Sequence, residues 1–481
     1  MMLRQTLLYL PAQLLGPLAM FVAAVVWTHL LDAETYGIVS YVLAAQELVY
    51  MLTIAWWSLY VLRFRAAMDE DQRRRMAAAD NAVVLGAAFA QAVVAVPLLL
   101  TLDMTPTASF FLVSVVLFVT RSLLTHYSEI ARTEQAILTY TIAQLAGPLF
   151  GTIASFLGVM LFGASPTAAL VGIAVVQGLG LVVVMIRLGV APVVRLPDRD
   201  TAKAALVYGL PMLATGGFAW VATNGIRLAV DELAGAEALG LLSVGWGLGQ
   251  RVSSVAAMLL TAAAFPLAVR LFESGDEEGA LKQLSDNGSM LFALLAPTTA
   301  GVAMVARPLV DLMIAEPFRA ATVAILPLAV LAGSVRNQRA HFVDQAFLLH
   351  TSPGRLIPLT VLEGIGCLVG TVIGLTFGGG GLDALVAATA GCTLGNLVAA
   401  IATTRVAMRD YRLKPQWSAW GRILVATGAM CAVLAAIPWG RGAVHLAAEV
   451  GLGMAIYAGA LAVLFPAERR LVITKLRARF G

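Results

Sequence analysis

Residues 167–187 read TAALVGIAVVQGLGLVVVMIR, a run whose only charged residue is the last one, Arg187. A helix rises about 1.5 Å per residue, so about 20 apolar residues cross a hydrocarbon core of about 30 Å. This run therefore predicts a membrane-spanning helix. Further runs of the same character lie on both sides of it. The fourteen predicted spans are 7–30, 37–61, 82–102, 108–128, 136–162, 167–187, 204–229, 240–265, 289–306, 322–347, 356–377, 383–403, 421–438 and 443–465.

The composition indicates that lipid surrounds most of the chain. Of the 481 residues, 60% are hydrophobic and only 12% are charged, and the mean hydropathy is +0.86. A soluble domain carries about 25% charged residues. Helix is the only reasonable spanning state, because a spanning barrel shows short alternating segments instead. The sequence therefore predicts an all-α polytopic membrane protein with the lipid bilayer, and no nucleic acid, as its partner.

The positions of the basic residues predict the orientation of the spans. With the N-terminus in the cytoplasm, the inner segments hold 25 of the 32 Lys and Arg residues, and the outer loops hold Arg307, Arg319 and Arg441. Basic residues accumulate on the cytoplasmic side of membrane proteins. We therefore expect a multi-pass protein of the bacterial inner membrane with both termini cytoplasmic and a basic tail at 466–481.

Four ordered blocks of residues recur in predicted helices 1–6 and 7–12. They are Leu10-Pro11 and Gly16 with Leu210-Pro211 and Gly216; Ala33-Glu34, Gly37 and Ser40 with Ala236-Glu237, Gly240 and Ser243; Arg121, His126-Tyr127 and Glu129 with Arg336, His341-Phe342 and Asp344; and Gln144, Gly147 and Gly151-Thr152 with Glu363, Gly366 and Gly370-Thr371. The repeat predicts two six-helix lobes, 1–200 and 204–410, followed by helices 13 and 14 and the tail at 421–481. Transporters built from such repeats bind substrate near the midplane, between the lobes.

Polar residues inside the predicted spans are the candidate substrate-binding residues, because charges there are costly and usually face a cavity or a partner. They are Asn224 and Arg227 in helix 7, Gln250 and Arg251 in helix 8, and Arg336 and Arg339 in helix 10. Arginine grips phosphate oxygens with a bidentate fork, so this set suggests a basic cavity for an anionic head group. The alternative is local pairing, of Arg227 with Asp231 or of Arg336 and Arg339 with Asp344.

Three carboxylates inside the spans are candidate ion-coupling residues: Glu47 in helix 2, Asp344 in helix 10 and Glu363 in helix 11. They alternatively hold helices together through pairing or hydrogen bonds. The sequence has no phosphate loop for ATP hydrolysis and no H-E-x-x-H metal motif. We therefore expect no enzymatic activity, no cofactor and no metal, with transport driven by an ion gradient, the lipid gradient or consumption of the product.

Two segments resemble the polysaccharide-transport (Wzx-type) flippases of the multidrug/oligosaccharidyl-lipid/polysaccharide exporter superfamily. They are THLLDAETYGIVSYVLAAQELVYML at 28–52 and YGLPMLATGGFAWVATNGIRLAVDELAGAEALGLLSVGWGLG at 208–249. The resemblance covers about residues 1–410. It implies a V-shaped bundle of two lobes that exports undecaprenyl-diphosphate-linked sugar units, with Arg227 and Arg251 serving the diphosphate. That family often has twelve helices, and the extra pair here is similar to the peptidoglycan-precursor flippase branch.

The predicted function is alternating-access translocation of a polyprenyl-diphosphate-linked oligosaccharide for exopolysaccharide, O-antigen or capsule synthesis, beside a polysaccharide polymerase or export complex. A peptidoglycan lipid-precursor flippase is one alternative. A cation-coupled multidrug antiporter is another, although acidic cavity residues would be expected there. A membrane polymerase or ligase would need a large outer loop, which the predicted topology lacks. A non-transporting scaffold is disfavoured by the polar residues within the spans.

Overall fold

The computed structural model describes residues 2–65, 68–102, 107–440 and 442–466, and within them the chain is a series of long helices. The helices are α1 Met2–Leu30, α2 Ala33–Phe64, α3 Glu70–Leu100, α4 Ala108–Thr133, α5 Ile137–Phe162, α6 Pro166–Arg187, α7 199–234, α8 236–273, α9 Glu277–Met313, α10 Glu316–Leu349, α11 Gly354–Phe377, α12 Gly381–Asp410, α13 Trp417–Ala436 and α14 Ala443–Leu464. Arg441 and the basic residues of the predicted tail lie outside the described residues.

Short polar side chains fix where several helices begin. The Asp32 carboxylate accepts a hydrogen bond from the Thr35 N–H at 2.8 Å, at the start of α2. The Ser165 hydroxyl accepts one from the Ala168 N–H at 3.2 Å, and Pro166 follows it at the first helical position of α6. Each cap satisfies a backbone donor that the first turn of a helix leaves without a partner.

Fourteen helices in the predicted order confirm the all-α polytopic architecture. Twelve helical stretches among the described residues are long and apolar enough to cross a membrane, and one of them, Arg199–Met258, joins two predicted spans. The break between α7 and α8 is Gly235, whose φ of 84° and ψ of 173° are non-helical. Glycine adopts a positive φ without a steric penalty, so the two spans meet without an intervening loop.

Large apolar side chains cover much of the outer surface, as expected of a protein surrounded by lipid. Phe89 is 74% exposed, Phe162 is 76% exposed and Phe377 is 81% exposed. A soluble monomer rarely exposes extended apolar patches of this kind. Charged residues within the helices cluster instead around Glu47 and around Glu363.

The chain divides into two compact units. Unit 1 comprises 1–244 and 367–388, and unit 2 comprises 245–366 and 389–481. Unit 1 has Trp57 and Tyr127 among its largest fully buried side chains, and unit 2 has Phe342 and Phe347. These units are defined by how compactly the residues pack, and their bounds differ from those of the predicted lobes 1–200 and 204–410. The division into two six-helix lobes stays a prediction.

Within unit 1, the first turns of α2 and α8 touch at two matching glycines of the repeat. A Cβ on Gly37 would lie 1.8 Å from the carbonyl oxygen of Ala236, and a Cβ on Gly240 would lie 1.8 Å from that of Ala33. The contact is therefore reciprocal: each half of the repeat offers the same glycine to the same alanine carbonyl of the other. Glycine at both positions allows the two backbones to approach this closely.

Candidate functional site

Unit 1 contains a cluster of polar side chains from α2, α4 and α7, which we call the Glu47 cluster: Glu47, Arg121, Asn224 and Arg227. The guanidinium Nη2 of Arg121 lies 3.4 Å from Glu47 Oε1. The amide of Asn224 donates to the other oxygen, Oε2, at 3.2 Å. Arg227 in turn donates to the Asn224 amide oxygen. Glu47 and Arg227 are therefore connected through Asn224.

The Glu47 cluster is open to its surroundings. The side chain of Glu47 is 46% exposed and that of Arg121 is 25% exposed, whereas Asn224 is buried. The cluster brings two guanidinium groups and one carboxylate together. Planar guanidinium forks bind phosphate oxygens well. Sequence reasoning placed Glu47, Asn224 and Arg227 in a list of candidates, but it did not include Arg121 among them or predict that they would meet.

Unit 2 contains a second cluster, the Glu363 cluster: Arg336, Arg339 and Asp344 of α10 with Glu363 of α11. Arg339 Nη2 lies 2.7 Å from Glu363 Oε2, and Arg339 Nε lies 3.4 Å from Asp344 Oδ2. Arg336 Nε approaches Glu363 Oε1 at 3.8 Å. A π-helical turn, Arg339–Val343, separates Arg339 from Asp344 in α10.

The Glu363 cluster is closed and electrically balanced. The side chains of Glu363 and Arg339 are only 1% and 7% exposed. Two arginines face two carboxylates, so the charges cancel. Burial of an ion is costly unless partners compensate it, which is what the pairing achieves here. This geometry agrees with the local-pairing alternative for Arg336 and Arg339, with Glu363 as an additional partner.

Gln250 and Arg251, the remaining candidates, lie on α8 in unit 2. The Gln250 amide donates to the backbone oxygen of Ala329 in α10 at 3.2 Å, so its side chain joins these two helices. Arg251 is half-buried. Arg227 belongs to unit 1 and Arg251 to unit 2, and the binding of a diphosphate by the two residues stays a prediction.

Unit 2 also encloses a cavity of about 890 Å³, hereafter the unit 2 cavity. Its walls are apolar side chains of α9, α10, α12 and α13, among them Leu331, Leu397 and Ile401. The hydroxyls of Thr299 and Ser334 in its wall bond to each other at 2.7 Å. Pockets of about 300–1,000 Å³ are typical of ligand sites.

The charged lining residues of the unit 2 cavity are Arg339 and Arg405. Arg339 is held in the Glu363 cluster, whereas Arg405 is exposed and forms no ion pair with the described residues. Trp417 and Trp420 line the cavity as well, and Trp420 stacks on Phe292 with ring centroids 4.6 Å apart. In the sequence, Arg405 counted only among the basic residues of the inner segments, and neither tryptophan was among the candidate residues. The sequence alone does not predict this cavity, because its walls come from four separate helices.

No cluster of three or more His, Cys, Asp or Glu side chains suited to a metal ion occurs in the part of the chain that the structure describes. The polar side chains described above are suited instead to ionic and hydrogen-bonding contacts with a ligand.

Long apolar helices, polar clusters within them and a cavity between helices define a polytopic membrane protein with candidate ligand-binding sites. The chain belongs to the family described as polysaccharide biosynthesis protein, whose model matches residues 2–272. This confirms the family resemblance seen in the sequence. No curated protein sequence matches the chain.

Two solved structures share the fold. One is a lipid II flippase, MurJ, in an inward closed conformation: its TM-score is 0.77 at 10% sequence identity, and the match covers 97% of this chain and 100% of that one. The other is an inward-facing multidrug resistance MATE family transporter of the MOP superfamily, with a TM-score of 0.53 at 15% identity, covering 82% of this chain and 94% of that one. At these identities the likeness shows the fold alone.

Proposed function

We propose that the protein is a flippase that translocates a polyprenyl-diphosphate-linked oligosaccharide across the bacterial inner membrane. The observation that carries this proposal is the unit 2 cavity, which combines apolar walls with the exposed guanidinium of Arg405. A polyprenyl diphosphate has the complementary chemistry, a long apolar chain joined to a compact anion. The membership of a polysaccharide biosynthesis family supports a glycan as the remaining part of the substrate.

The two parts of the cargo need different surroundings. Burial of apolar chain contributes about 25 cal/mol per Å², so walls such as Leu331 and Ile401 favour the prenyl chain. An anion inside a membrane needs compensating positive charge. Arg405 supplies it at the cavity, and Arg121 and Arg227 supply it at the Glu47 cluster. The proposed substrate-binding set is therefore Asn224, Arg227, Gln250 and Arg251 as predicted, extended by Arg121 and Arg405. The predicted candidates Arg336 and Arg339 are left out of it, because the Glu363 cluster holds them.

Of the three carboxylates predicted to couple transport to an ion, the most exposed one, Glu47, is the one we propose for that role. Glu47 is half-exposed and touches the substrate-binding arginines, so ion binding there would be felt by the cargo. Asp344 and Glu363 are engaged with Arg336 and Arg339, which favours a structural role for them.

We propose an inner-membrane location with both termini cytoplasmic, and a pathway that makes exopolysaccharide, O-antigen or capsule with a polymerase or export complex as partner. Cysteines introduced singly at exposed positions test the orientation. Labelling from the outside is expected for 231–237 and not for 63–75 or the C-terminus. An outward-facing C-terminus would overturn the fourteen-span topology.

A pair of tryptophan variants on α12 tests the substrate proposal. Ala400 lines the unit 2 cavity, whereas Val398, two residues earlier, is 48% exposed and does not line it. Ala400→Trp fills space that the prenyl chain would occupy, so export of surface polysaccharide per amount of membrane-inserted protein should fall at least tenfold. Val398→Trp is the matched control and should export normally. Equal export by both variants would show that the unit 2 cavity does not bind the substrate.

A peptidoglycan lipid precursor is the second candidate cargo. The observation that favours it is the structural match to the lipid II flippase over the full length of that chain. Both candidate cargoes carry a prenyl diphosphate. The chemistry of the unit 2 cavity therefore suits either of them and does not distinguish them. Growth of cells depleted of their own lipid II flippase separates them: rescue by this protein would favour the precursor. A cation-coupled drug antiporter would be expected to have acidic residues in its binding site, whereas the Glu47 cluster contains two arginines and one carboxylate.

A further inference from the structure

A buried histidine–aspartate pair lies in unit 1 where α2, α3 and α4 pack together, outside the Glu47 cluster. Asp80 of α3 accepts hydrogen bonds from the indole N–H of Trp57 at 2.7 Å and from Nε2 of His126 at 2.9 Å. The side chains of His126 and Asp80 are 0% and 4% exposed. An ionised carboxylate only accepts hydrogen bonds, so Nε2 of His126 carries a proton.

The other ring nitrogen of His126 faces the Ser58 hydroxyl, which also lies within hydrogen-bonding distance of the Ile54 carbonyl and bonds to the Tyr50 hydroxyl. Nδ1 lies 2.8 Å from Ser58 Oγ, and Ser58 Oγ lies 3.2 Å from the carbonyl oxygen of Ile54. A hydroxyl has one proton to donate. When His126 is neutral, Ser58 donates to Nδ1 and the Ile54 carbonyl loses this bond. When His126 is protonated, Nδ1 donates to Ser58 and Ser58 donates to Ile54.

The Ile54 carbonyl belongs to an irregular part of α2. Met51–Ala55 form a π-helical turn, a feature that often occurs at functional sites. Glu47 precedes Ile54 by seven residues, which is about two helical turns. A change in the hydrogen bonding of this turn therefore acts on the helix that carries Glu47.

We infer that His126, paired with Asp80, is the proton-binding site through which the proton gradient acts on transport. Proton uptake moves the Ser58 hydrogen bond from Nδ1 to the Ile54 carbonyl and so changes the π-helical turn of α2. This inference rests on the proposed transport function and names its coupling ion. It assigns proton binding to a residue that the sequence analysis noted only as part of the repeat.

Partly exposed charges near His126 on α4 are those of Glu129 and Arg132. Glu129 lies one turn beyond His126, is half-buried, and forms a 2.6 Å ion pair with Arg132 near the end of the helix. The other charged or titratable groups that face the site are Tyr50 and Arg65 of α2 and Tyr127 of α4. Arg65 is engaged with Glu134 at 2.6 Å, and the two tyrosines are phenols that stay neutral near pH 7. Histidine is the side-chain type that exchanges protons near neutral pH, and His126 is the histidine at this site.

Histidine-selective NMR of the full-length protein in detergent tests proton binding without any lipid substrate. The chain has five histidines, and the signal lost in His126→Gln belongs to His126. We expect the chemical shift of this signal to change with pH between about pH 5 and 8, the range in which histidine protonation is generally observed. A signal that does not change over this range overturns the inference. Because the measurement needs no substrate, it separates failure of this site from failure of the proposed function.

Transport in proteoliposomes, with and without a pH gradient, tests coupling. The ratio of the two rates should exceed one for the wild type and fall to one for His126→Gln. Ser58→Ala leaves the titrating pair intact but removes the switched hydroxyl, so its His126 signal should titrate while the ratio still falls to one. Arg74→Ala is the control: Arg74 is 75% exposed in a surface pair with Glu70, outside this site, and the variant should keep the wild-type ratio. A wild-type ratio retained in His126→Gln or Ser58→Ala overturns the inference.

Discussion

The Glu47 cluster and the Glu363 cluster occupy matching places in the repeat but take their carboxylate from different helices. Arg121 of the first half matches Arg336 of the second. Glu47 lies ten residues after Gly37, where the second half has Gln250 ten residues after Gly240. Conversely, Glu363 matches Gln144 of the first half. The first half therefore has a glutamate on α2 and a glutamine on α5, whereas the second half has a glutamine on α8 and a glutamate on α11. The arginine is the same in both halves.

The position of the acid decides whether the cluster is open or closed. The matching arginines are similarly exposed, at 25% and 28%. The carboxylates are not: the Glu47 side chain is 46% exposed and that of Glu363 is 1% exposed. The closed cluster also has a second arginine, Arg339, where the first half has Leu124. We expect the open cluster to serve the ligand and the closed cluster to serve the fold.

Removal of the buried carboxylate should have the largest effect on stability. Glu363→Ala leaves Arg339 buried without its closest partner, and breaking a buried pair costs about 3–5 kcal/mol in free energy of unfolding. Thermal unfolding in detergent measures the loss. Glu47→Ala is the matched control, since removal of a half-exposed partner costs about 1 kcal/mol or less. Equal losses in the two variants would contradict the difference between the clusters.

The reciprocal glycine contact predicts a smaller loss, and one that is equal in the two halves. Gly37→Ala and Gly240→Ala each place a methyl group 1.8 Å from a carbonyl oxygen, so the helices must separate. Overpacking of this kind typically costs about 1–3 kcal/mol. Gly86→Ala is the control, because nothing lies within 4 Å of its added Cβ. A loss in one variant alone would show that the contact is not symmetric.

Changes to the open cluster should affect transport and leave stability nearly unchanged. Arg121→Ala and Arg227→Ala each remove a charge-assisted contact worth about 1.5–3 kcal/mol, so the transport rate should fall about tenfold or more. Arg227→Lys keeps the charge but loses the fork, and should keep part of the activity. The measurement is lipid-linked intermediate in the outer leaflet per amount of protein.

Arg74→Ala is the control for these variants, since Arg74 is 75% exposed in a surface pair with Glu70. Normal export by both Arg121→Ala and Arg227→Ala would make the Glu47 cluster structural, like its counterpart in unit 2.

Much of the fold was predictable because hydropathy and helix length are local properties. Runs such as 167–187 predicted their helices nearly residue for residue, and Arg336 and Arg339 were correctly suspected of pairing with acids. The partners themselves were not predictable. Arg121 and Asn224 reach Glu47 from helices far away in the chain, and Glu363 meets Arg339 across two helices. Such contacts depend on how helices rotate and cross, which side-chain packing decides and no short motif records.

The unit 2 cavity shows the same limit. Its residues, from Phe292 to Thr427, come from four helices, and each helix alone is an ordinary apolar span. Arg405 was counted as one inner charge among many. Only the three-dimensional arrangement distinguishes it as the exposed charge beside an apolar cavity.

Lipid translocation by the purified protein in liposomes tests the central claim most directly. Three substrates are compared in parallel: a polyprenyl-diphosphate-linked oligosaccharide, lipid II and a cationic drug. The account predicts that the first moves between leaflets in the presence of the wild type, and that Ala400→Trp slows it at least tenfold while Val398→Trp does not. Transport of the cationic drug without movement of either prenyl-linked lipid would contradict the account.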